Sequence, residues 1–410
     1  MADASGAGLR PARRARRLVY VYDGDWPKGA TRVVKEPRSL AAAGPEVHLV
    51  ARNETRDPRV EQTGWMTVHR LPAFGPRLVN KAVNFPYFFN PFWILAIWRV
   101  ARAVGADGIL VADLPLGPTA LWVGRWLGLP VYFDMVEVYP EFLRTLWQFE
   151  PMGWSDHLVR NPRVAEWLER RVLPRFEVVF VVSEESRQRA IALGVRPERL
   201  VILGNTPEHP EELAADRPVP PLLLPHRGRP VLLFVGTIIQ DRGVLKAVEA
   251  MPRVLAAVPD ALLVVVGDGP ARAEAEAAAR RLGVAEQVLF AGWRPHAELA
   301  AWYRHADIGL QPFLDGSHVR ITLANKLFDY MAAGLPVAAT DLPSTRRILM
   351  DADAGILLPV DDAPGFADGL IGLLRDPERR RRLGEHGRQA VADRYAWRHD
   401  EARLLAALEG

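Results

Sequence analysis

Residues 322–337, Thr-Leu-Ala-Asn-Lys-Leu-Phe-Asp-Tyr-Met-Ala-Ala-Gly-Leu-Pro-Val, predict a short helix followed directly by a strand. Asn325 suits the N-cap, and apolar residues follow it at helical spacing. Gly334 suits the left-handed position after the last turn, and Pro336 prevents the helix from continuing. Val-Ala-Ala-Thr at 337–340 then predicts a buried strand. A helix closely bounded by strands is typical of an α/β sheet.

The start of this predicted helix has the features of a nucleotide pocket. Free backbone N–H groups at a helix N-terminus favour a phosphate, and Lys326 adds a positive charge in the first turn. Asp329 lies one turn later and would lean back toward the N-terminus, where its carboxylate accepts hydrogen bonds from ribose hydroxyls. The alternative is an ordinary amphipathic helix with solvated Lys326 and Asp329.

Short apolar runs alternate with helical segments along the whole chain, which predicts two doubly wound α/β domains. We place the first domain at 1–205, a linker rich in Pro and charge at 206–229, and the second domain at 230–394. Strands are predicted at 18–22, 46–50, 108–112, 131–134, 178–182 and 200–205, and then at 230–236, 262–266, 288–292, 307–312 and 337–340.

A glycine-containing loop, residues 23–29, is predicted after the first strand. Ligands of doubly wound domains bind at the carboxyl ends of strands, so Gly24 and Gly29 are candidate site residues. A plain tight turn remains open for both. Their spacing is not Gly-x-Gly-x-x-Gly, so no dinucleotide is implied.

The run Asn-Lys-Leu-Phe-Asp-Tyr-Met-Ala-Ala-Gly-Leu-Pro-Val at 325–337 resembles the nucleotide-sugar signature of the family-four retaining glycosyltransferases. Asp329 stands at the second acidic position of that signature, and Ile321 stands where many members have the first glutamate. Some bacterial subgroups lack that glutamate, and this chain resembles them. The resemblance implies the GT-B fold, with two Rossmann-like domains facing across a cleft. It also implies sugar transfer with retention, without a metal or other cofactor.

The resemblance assigns most candidate site residues to the donor. Arg242 stands at the family's phosphate-binding cation position, in a loop that begins at Gly236, and would act with Lys326 on the departing diphosphate. Gly292 and Trp293 stand where relatives hold the base, and Asn325 opens the signature helix. Gly24 and Gly29 correspond to an N-terminal loop beside the acceptor and the donor phosphates, and the last helix, 395–410, would cross back to the first domain.

Glu137 is the candidate catalytic residue of the first domain. Many relatives carry Asp-x-His-Glu after the corresponding strand, and Val136 replaces the histidine here. Glu137 could orient or deprotonate an acceptor hydroxyl, but an N-cap or an ion pair is equally open. The replacements at 136 and 321 keep two alternatives open: a catalytically silent homologue serving as a binding or scaffold subunit, and a GT-B nucleotide-sugar epimerase.

Composition excludes several other classes. The chain has no cysteine, so disulfides, thiolate metal sites and cysteine nucleophiles are excluded. A net charge of +3 is too small to indicate a nucleic-acid partner. No apolar run is long enough to span a bilayer and none resembles a signal peptide, so we predict a cytoplasmic protein.

The aromatic segment at 84–98 leaves one question about partners open. Aromatic rings beside Arg99 and Arg102 are typical of peripheral membrane contact or of a lipid-linked acceptor. The alternative is that the segment packs inside the first domain. The predicted substrates are a nucleotide-sugar donor and a sugar, glycolipid or small-molecule acceptor.

Overall fold

The computed structural model describes residues 16–26, 31–85, 88–149, 153, 157 and 160–409. These residues form two compact units. The first unit comprises the described residues of 1–143, 152–203 and 400–410, and the second comprises those of 144–151 and 204–399. Each unit is built around its own sheet.

The described strands of the first unit form a sheet in the order β3-β4-β2-β1-β5-β6-β7-β8. Only β3 and β4 pair antiparallel among them, and the other neighbours are parallel. The central strands β5 and β6 are buried along their whole length, as expected when helices cover both faces of a parallel sheet. The strands are β1 Arg17–Asp25, β2 Glu46–Arg52, β3 Val60–Gln62, β4 Thr67–Arg70, β5 Gly108–Ala112, β6 Val131–Met135, β7 Val179–Val181 and β8 Leu200–Ile202.

Helices connect these strands in chain order. Helix α3 shows how its ends are determined: the Asn90 side chain accepts a hydrogen bond from the Phe92 N–H, and Gly105 takes the left-handed conformation after the last turn. The α-helices that contain first-unit residues are α1 Thr31–Ala42, α2 Arg77–Asn84, α3 Pro91–Val104, α4 Gly117–Leu127, α5 Tyr139–Phe149, α6 Pro162–Val172, α7 Glu184–Ala192 and, numbered last in the chain, α16 Trp397–Glu409.

The second sheet is parallel throughout its described pairs, in the order β11-β10-β9-β12-β13-β14. β9 and β12, the first and fourth strands of this sheet in chain order, are therefore neighbours. The strand order of a doubly wound sheet reverses at this point, and such sheets bind ligands beyond the carboxyl ends of the strands there. The strands are β9 Val231–Val235, β10 Leu262–Val266, β11 Val288–Gly292, β12 Ile308–Gln311, β13 Val337–Thr340 and β14 Gly355–Leu358.

Helices cover both faces of the second sheet. Alternate residues of β9 show this, since Leu232 and Phe234 belong to one apolar cluster while Leu233 belongs to the other. In the described part of the chain, no helix is long and apolar enough to cross a bilayer. The remaining α-helices are α8 Pro210–Ala214, α9 Val244–Ala257, α10 Arg272–Arg281, α11 Leu299–Arg304, α12 Asn325–Ala332, α13 Pro343–Ala352, α14 Ala363–Leu374 and α15 Pro377–Arg394.

Two segments at the predicted domain boundaries have definite positions. Residues 206–229, for which we predict a linker, belong to the second unit, where Leu213 and Leu223 are buried in one of its cores. From Asp400 onward the last helix belongs to the first unit, where Arg403 donates a hydrogen bond of 2.9 Å to the carbonyl oxygen of Ile202. The apolar side chains within the polar stretch 206–229 explain why this stretch packs against the second unit and does not form an exposed linker.

Candidate functional site

In the second unit, the loops at the carboxyl ends of β9, β10 and β12 approach so closely that a side chain would not fit at the points of contact. The Gly267 N–H donates to the Gly292 carbonyl oxygen at 2.9 Å. Gly243, with φ +69°, lies against the carbonyl oxygen of Pro312, and a Cβ at that position would overlap this oxygen. A Cβ at Gly267, with φ +147°, would overlap the carbonyl oxygen of Gly236 in the same way. Only glycine meets both requirements, conformation and space.

Lys326 lies in the first turn of α12 and is 9% exposed. Its Nζ lies 3.7 Å from the centroid of the Phe234 ring, and a Cβ on Gly236 would be 3.0 Å from it. The ammonium has no hydrogen-bond partner among the described residues. Burial lowers the pKa of Lys326 well below its usual range, Arg242 lowers it further, and Asp241 and Asp329 oppose the shift.

Arg242 is the second cation of this site. Its guanidinium carbon lies 4.6 Å from the centroid of the Phe313 ring, and Lys326 Nζ lies 5.2 Å from the same centroid. Its Nε lies 3.8 Å from a carboxylate oxygen of the buried Asp241. Two cations near one ring repel each other, so the arrangement favours an anionic ligand between them.

The structure corrects two predictions about the signature helix. Ala324 takes the N-cap position and Asn325 is the first helical residue, because Ala324 has the extended backbone that a cap requires. The alternative of solvated Lys326 and Asp329 is wrong, since both side chains are buried. The left-handed Gly334 and the following strand β13 are confirmed.

Asp329 lies beside a buried tyrosine that the sequence analysis did not consider. Burial raises the pKa of the Tyr303 hydroxyl well above its usual range, and the negative charge of Asp329 adds to this. The Tyr303 ring meets the Tyr330 ring edge to face at 5.7 Å. The Tyr330 hydroxyl accepts a hydrogen bond from the Val235 N–H, which ties α12 to the end of β9.

Gly292 and Trp293 lie at the end of β11. Gly292 has φ +73°, and its carbonyl oxygen accepts the hydrogen bond from Gly267. The indole of Trp293 is 70% exposed, so its ring is available for stacking. A role for Trp293 in holding a base stays a prediction.

In the first unit, three carboxylates lie at or just beyond the carboxyl ends of neighbouring strands. Asp23 lies near the end of β1, Asp113 directly after β5, and Glu137 two residues after β6. The Glu137 N–H donates to Asp113 Oδ1 at 3.0 Å. Burial raises the pKa of Asp113 well above its usual range, and the charges of Asp23 and Glu137 contribute. Asp113 has φ +64° and ψ 159°, a conformation that is essentially confined to glycine.

The predicted glycine loop differs from the structure. Strand β1 continues to Asp25, so Gly24 is a strand residue with no room for a Cβ beside the Tyr22 ring. Gly29 lies outside the described residues. Asp113 was missed because its position after an apolar strand does not reveal an unusual backbone conformation.

The described residues contain no group of three or more histidine, aspartate or glutamate side chains that could hold a metal ion. At this site Arg242 and Lys326 are the side chains that carry positive charge for an anion.

Comparison with known proteins finds a glycosyltransferase domain model that matches each half of the chain. A family model described as "Glycosyl transferase 4-like domain" matches residues 28–206, and one described as "Glycosyl transferases group 1" matches residues 229–376. A solved sucrose-phosphate synthase from Thermosynechococcus elongatus has a TM-score of 0.74 at 20% identity, and the alignment covers 95% of this chain and 97% of that one. The predicted fold, two parallel-sheet α/β domains of GT-B type, is confirmed.

Two relatives are similar in sequence. A phosphatidyl-myo-inositol mannosyltransferase from Mycolicibacterium smegmatis is 36% identical over 186 residues, which is 45% of this chain and about half, 46%, of that relative. A 2-deoxystreptamine glucosyltransferase from Streptomyces kanamyceticus is 28% identical over 397 residues, which is 92% of this chain and 97% of the relative. Glycosyltransferase domain models thus match both halves of the chain, and the relative that aligns over 92% of the chain is itself named a glucosyltransferase.

Proposed function

We propose that this protein transfers a sugar from a nucleoside diphosphate donor to an acceptor hydroxyl, with retention of anomeric configuration and without a metal ion. The second unit binds the donor at the junction of β9 and β12. The acceptor is a sugar, a glycolipid or a small hydroxylated molecule, as the names of the two relatives illustrate for those proteins.

The observation that carries this proposal is the buried ammonium of Lys326. It has no hydrogen-bond partner among the described residues, and Arg242 lies near the same Phe313 ring. Burying an unpaired charge costs several kcal/mol. A diphosphate would supply the missing counter-charge to both cations, so the site is organised for an anion.

The backbone adds to this anion site. The N-terminus of α12 provides the positive end of the helix dipole, with Lys326 in its first turn. During transfer the diphosphate leaves with increased negative charge, which Arg242, Lys326 and this helix end stabilise. The leaving phosphate then accepts the proton of the incoming hydroxyl on the same face, which gives retention.

Side chains near the two cations suit the rest of the donor. Asp329 is placed to accept hydrogen bonds from ribose hydroxyls, with Tyr303 as its buried neighbour. Trp293 offers an exposed ring for the base. Asn325 lies at the helix start, next to the phosphate position.

In the first unit we assign the acceptor hydroxyl to Glu137 and Asp113. Asp113 holds the backbone of Glu137 by a hydrogen bond, which sets the direction of the Glu137 side chain. A carboxylate here orients the attacking hydroxyl and replaces the function that a histidine at position 136 has in other members.

Calorimetric titration with UDP, GDP, TDP and ADP, first without metal and then with magnesium, tests the donor site. We expect one nucleotide to bind without metal and to lose at least a hundredfold in affinity in Arg242→Ala and Lys326→Ala, since each removes a charged contact worth about 3 kcal/mol. The matched control is Arg253→Ala, an exposed arginine of the same unit that pairs with Asp368. Failure of all four nucleotides to bind would overturn the donor site.

Retention is tested separately once a donor and an acceptor are found. The proton NMR spectrum of the first product formed shows whether its anomeric configuration equals that of the donor. An inverted product would contradict the proposed mechanism and leave the donor site intact.

A further inference from the structure

Helix α2 exposes two apolar side chains and buries two asparagines, which is unusual for a surface helix, while Val83 is buried and Arg77 and Lys81 are exposed. Its outward residues include Leu78, 82% exposed, and Val79, 46% exposed. Its inward face carries Asn80 and Asn84, which are 6% and 0% exposed. A surface helix in water normally buries its apolar side and exposes its polar side.

Hydrogen bonds hold α2 in this orientation. Asn84 Oδ1 accepts from the Asn53 N–H at 2.7 Å, and the Asn84 amide donates to the Asn80 carbonyl oxygen at 2.9 Å. Asn80 Oδ1 accepts from the Phe74 N–H at 3.0 Å, while its amide donates to the Asn53 carbonyl oxygen. Turning the helix over would leave these amides buried without partners, so the fold keeps Leu78 and Val79 outside.

The apolar surface continues onto α3. Phe74 and Phe92 meet edge to face at 6.1 Å, and both are partly exposed. Leu95, one turn after Phe92 on α3, is 42% exposed. The opposite side of α3 is fully buried through Trp93 and Ile97, so the first half of this helix is apolar on both sides.

Stacked tryptophans extend the surface to α4. Trp98 of α3 stacks on Trp126 at 5.6 Å, and Trp126 lies 5.5 Å from Trp122. Trp122 and Trp126 are 48% and 62% exposed. The aromatic face is defined here as this continuous outer surface, formed by Phe74, Leu78, Val79, Phe92, Leu95, Trp98, Trp122 and Trp126.

Cations predominate around the aromatic face, although the exposed Glu177 lines a pocket with Trp122 and Arg125. Residues 62–106 contain no aspartate or glutamate, although the chain has 49 of them. Exposed cations border the face instead, and the guanidinium of Arg102 lies 5.4 Å from the Trp98 ring centroid. The others are Arg77, Lys81, Arg99 and Arg125.

We propose that the aromatic face binds to the surface of a lipid bilayer that contains anionic phospholipid. Tryptophan favours the level of the lipid headgroups, where its ring is apolar and its N–H meets water. Leu78, Val79 and Leu95 enter the apolar boundary, and the surrounding cations meet the phosphates. This inference rests on the first unit alone and does not depend on the proposed sugar transfer.

Vesicle co-sedimentation tests the proposal with the full chain. We expect binding to vesicles of equimolar phosphatidylcholine and phosphatidylglycerol, weakened by added salt, and much weaker binding to phosphatidylcholine alone. Arg77→Gln/Lys81→Gln should weaken binding about thirtyfold. Leu78→Gln/Val79→Gln should weaken it at least tenfold. Tryptophan emission should shift to shorter wavelength when the protein binds.

Matched controls use exposed residues of the second unit. Leu222→Gln/Leu224→Gln removes two exposed leucines, and Arg379→Gln/Arg382→Gln removes two exposed cations. Both should bind vesicles as the unaltered protein does. Nucleotide titration of every variant should be unchanged, which separates this surface from the donor site.

Three results would overturn the proposal: no binding to either vesicle, binding that neither double substitution weakens, or concentration-dependent self-association that Leu78→Gln/Val79→Gln abolishes. The last would show that the aromatic face is a protein interface. The donor site could still bind its nucleotide in each case.

Discussion

At the scale of single residues, Lys326 and Asp113 both occupy environments that oppose their charged forms. Lys326 is buried with a second cation nearby, and Asp113 is surrounded by acidic neighbours in a conformation typical of glycine. Neither arrangement helps folding. Residues with shifted pKa values are common in functional sites, where the fold holds them against their own preferences.

Lys326→Met tests whether this lysine lowers stability for the sake of binding. Methionine fills a similar volume without charge, so we expect the free energy of unfolding to rise by about 1–2 kcal/mol at neutral pH. Nucleotide binding should be lost in the same variant. Urea unfolding and calorimetry measure the two effects, and a less stable variant would contradict the explanation.

Stability should also respond to pH through Lys326. Its pKa is lowered in the folded protein, so between that value and about 10.4 the unfolded chain binds more protons. The stability of the unaltered protein should therefore rise with pH across this window. Lys326→Met should lose the rise, and an unchanged profile would exclude a buried, neutralised lysine.

The carboxyl group of Asp113 should give the opposite pH dependence, which Asp113→Asn tests. Because the pKa of Asp113 is raised, its contribution to stability is greatest below about 3.9 and is lost as pH increases through the raised value. The asparagine variant should lack this loss and be more stable than the unaltered protein at neutral pH. Asp113→Ala, which removes the oxygen that accepts from the Glu137 N–H, should lower sugar transfer at least tenfold if Asp113 positions Glu137. An alanine variant of unchanged activity would remove Asp113 from the acceptor site.

At the scale of elements, the second unit depends on loops that approach each other more closely than side chains permit. Gly243 lies between the donor loop after β9 and the backbone that follows β12. These loops also carry Arg242 and Phe313. The close approach therefore helps to set the position of Arg242 against the Phe313 ring.

Gly243→Ala and Gly283→Ala separate backbone conformation from close approach. The two glycines have φ +69° and +70°, but only Gly243 has an atom within 4 Å of the added Cβ. Both variants should lose about 1 kcal/mol of stability from the left-handed conformation. Gly243→Ala should lose about 1–3 kcal/mol more and weaken nucleotide binding. Equal effects in urea unfolding would contradict the importance of the Pro312 contact.

Three strands were absent from the sequence predictions. β3 lies at the sheet edge with all three residues exposed, β4 has Val68 as its one apolar residue, and β14 contains only Gly355–Leu358. Short runs of this kind do not show a periodicity of their own. They become strands because neighbouring strands pair with them: β2 with β4, β4 in turn with β3, and β13 with β14.

At the scale of the whole molecule, each unit has its own means of stabilisation. In the first unit, Arg32 joins α1 to the sheet. It donates to Glu36 at 2.8 Å, to Asp134 at 2.7 Å and to the carbonyl oxygen of Leu203 at 2.8 Å, and all three side chains are buried. The second unit relies on apolar clusters on both faces of its sheet.

Arg32→Ala should therefore destabilise the first unit selectively. It leaves two carboxylates buried without their cation, a loss of about 3–5 kcal/mol. Hydrogen exchange followed by mass spectrometry should show reduced protection in β1 and β6, with β9 and β12 unaffected. Arg170→Ala, which removes an exposed pair with Glu166, should change neither. Equal loss of protection in both units would contradict selective stabilisation.

The sequence alone determined the alternation of buried strands and helices, the signature helix and the choice of Arg242 and Lys326 as candidate phosphate-binding cations. Those features depend on local periodicity, on Gly334 and Pro336, and on motif spacing. Only the tertiary structure decided that Lys326 is buried against Phe234, that Asp113 adopts a glycine-like conformation beside Glu137, and that α2 exposes its apolar side. Each of these depends on hydrogen bonds or packing between residues distant in the chain, which local patterns do not encode.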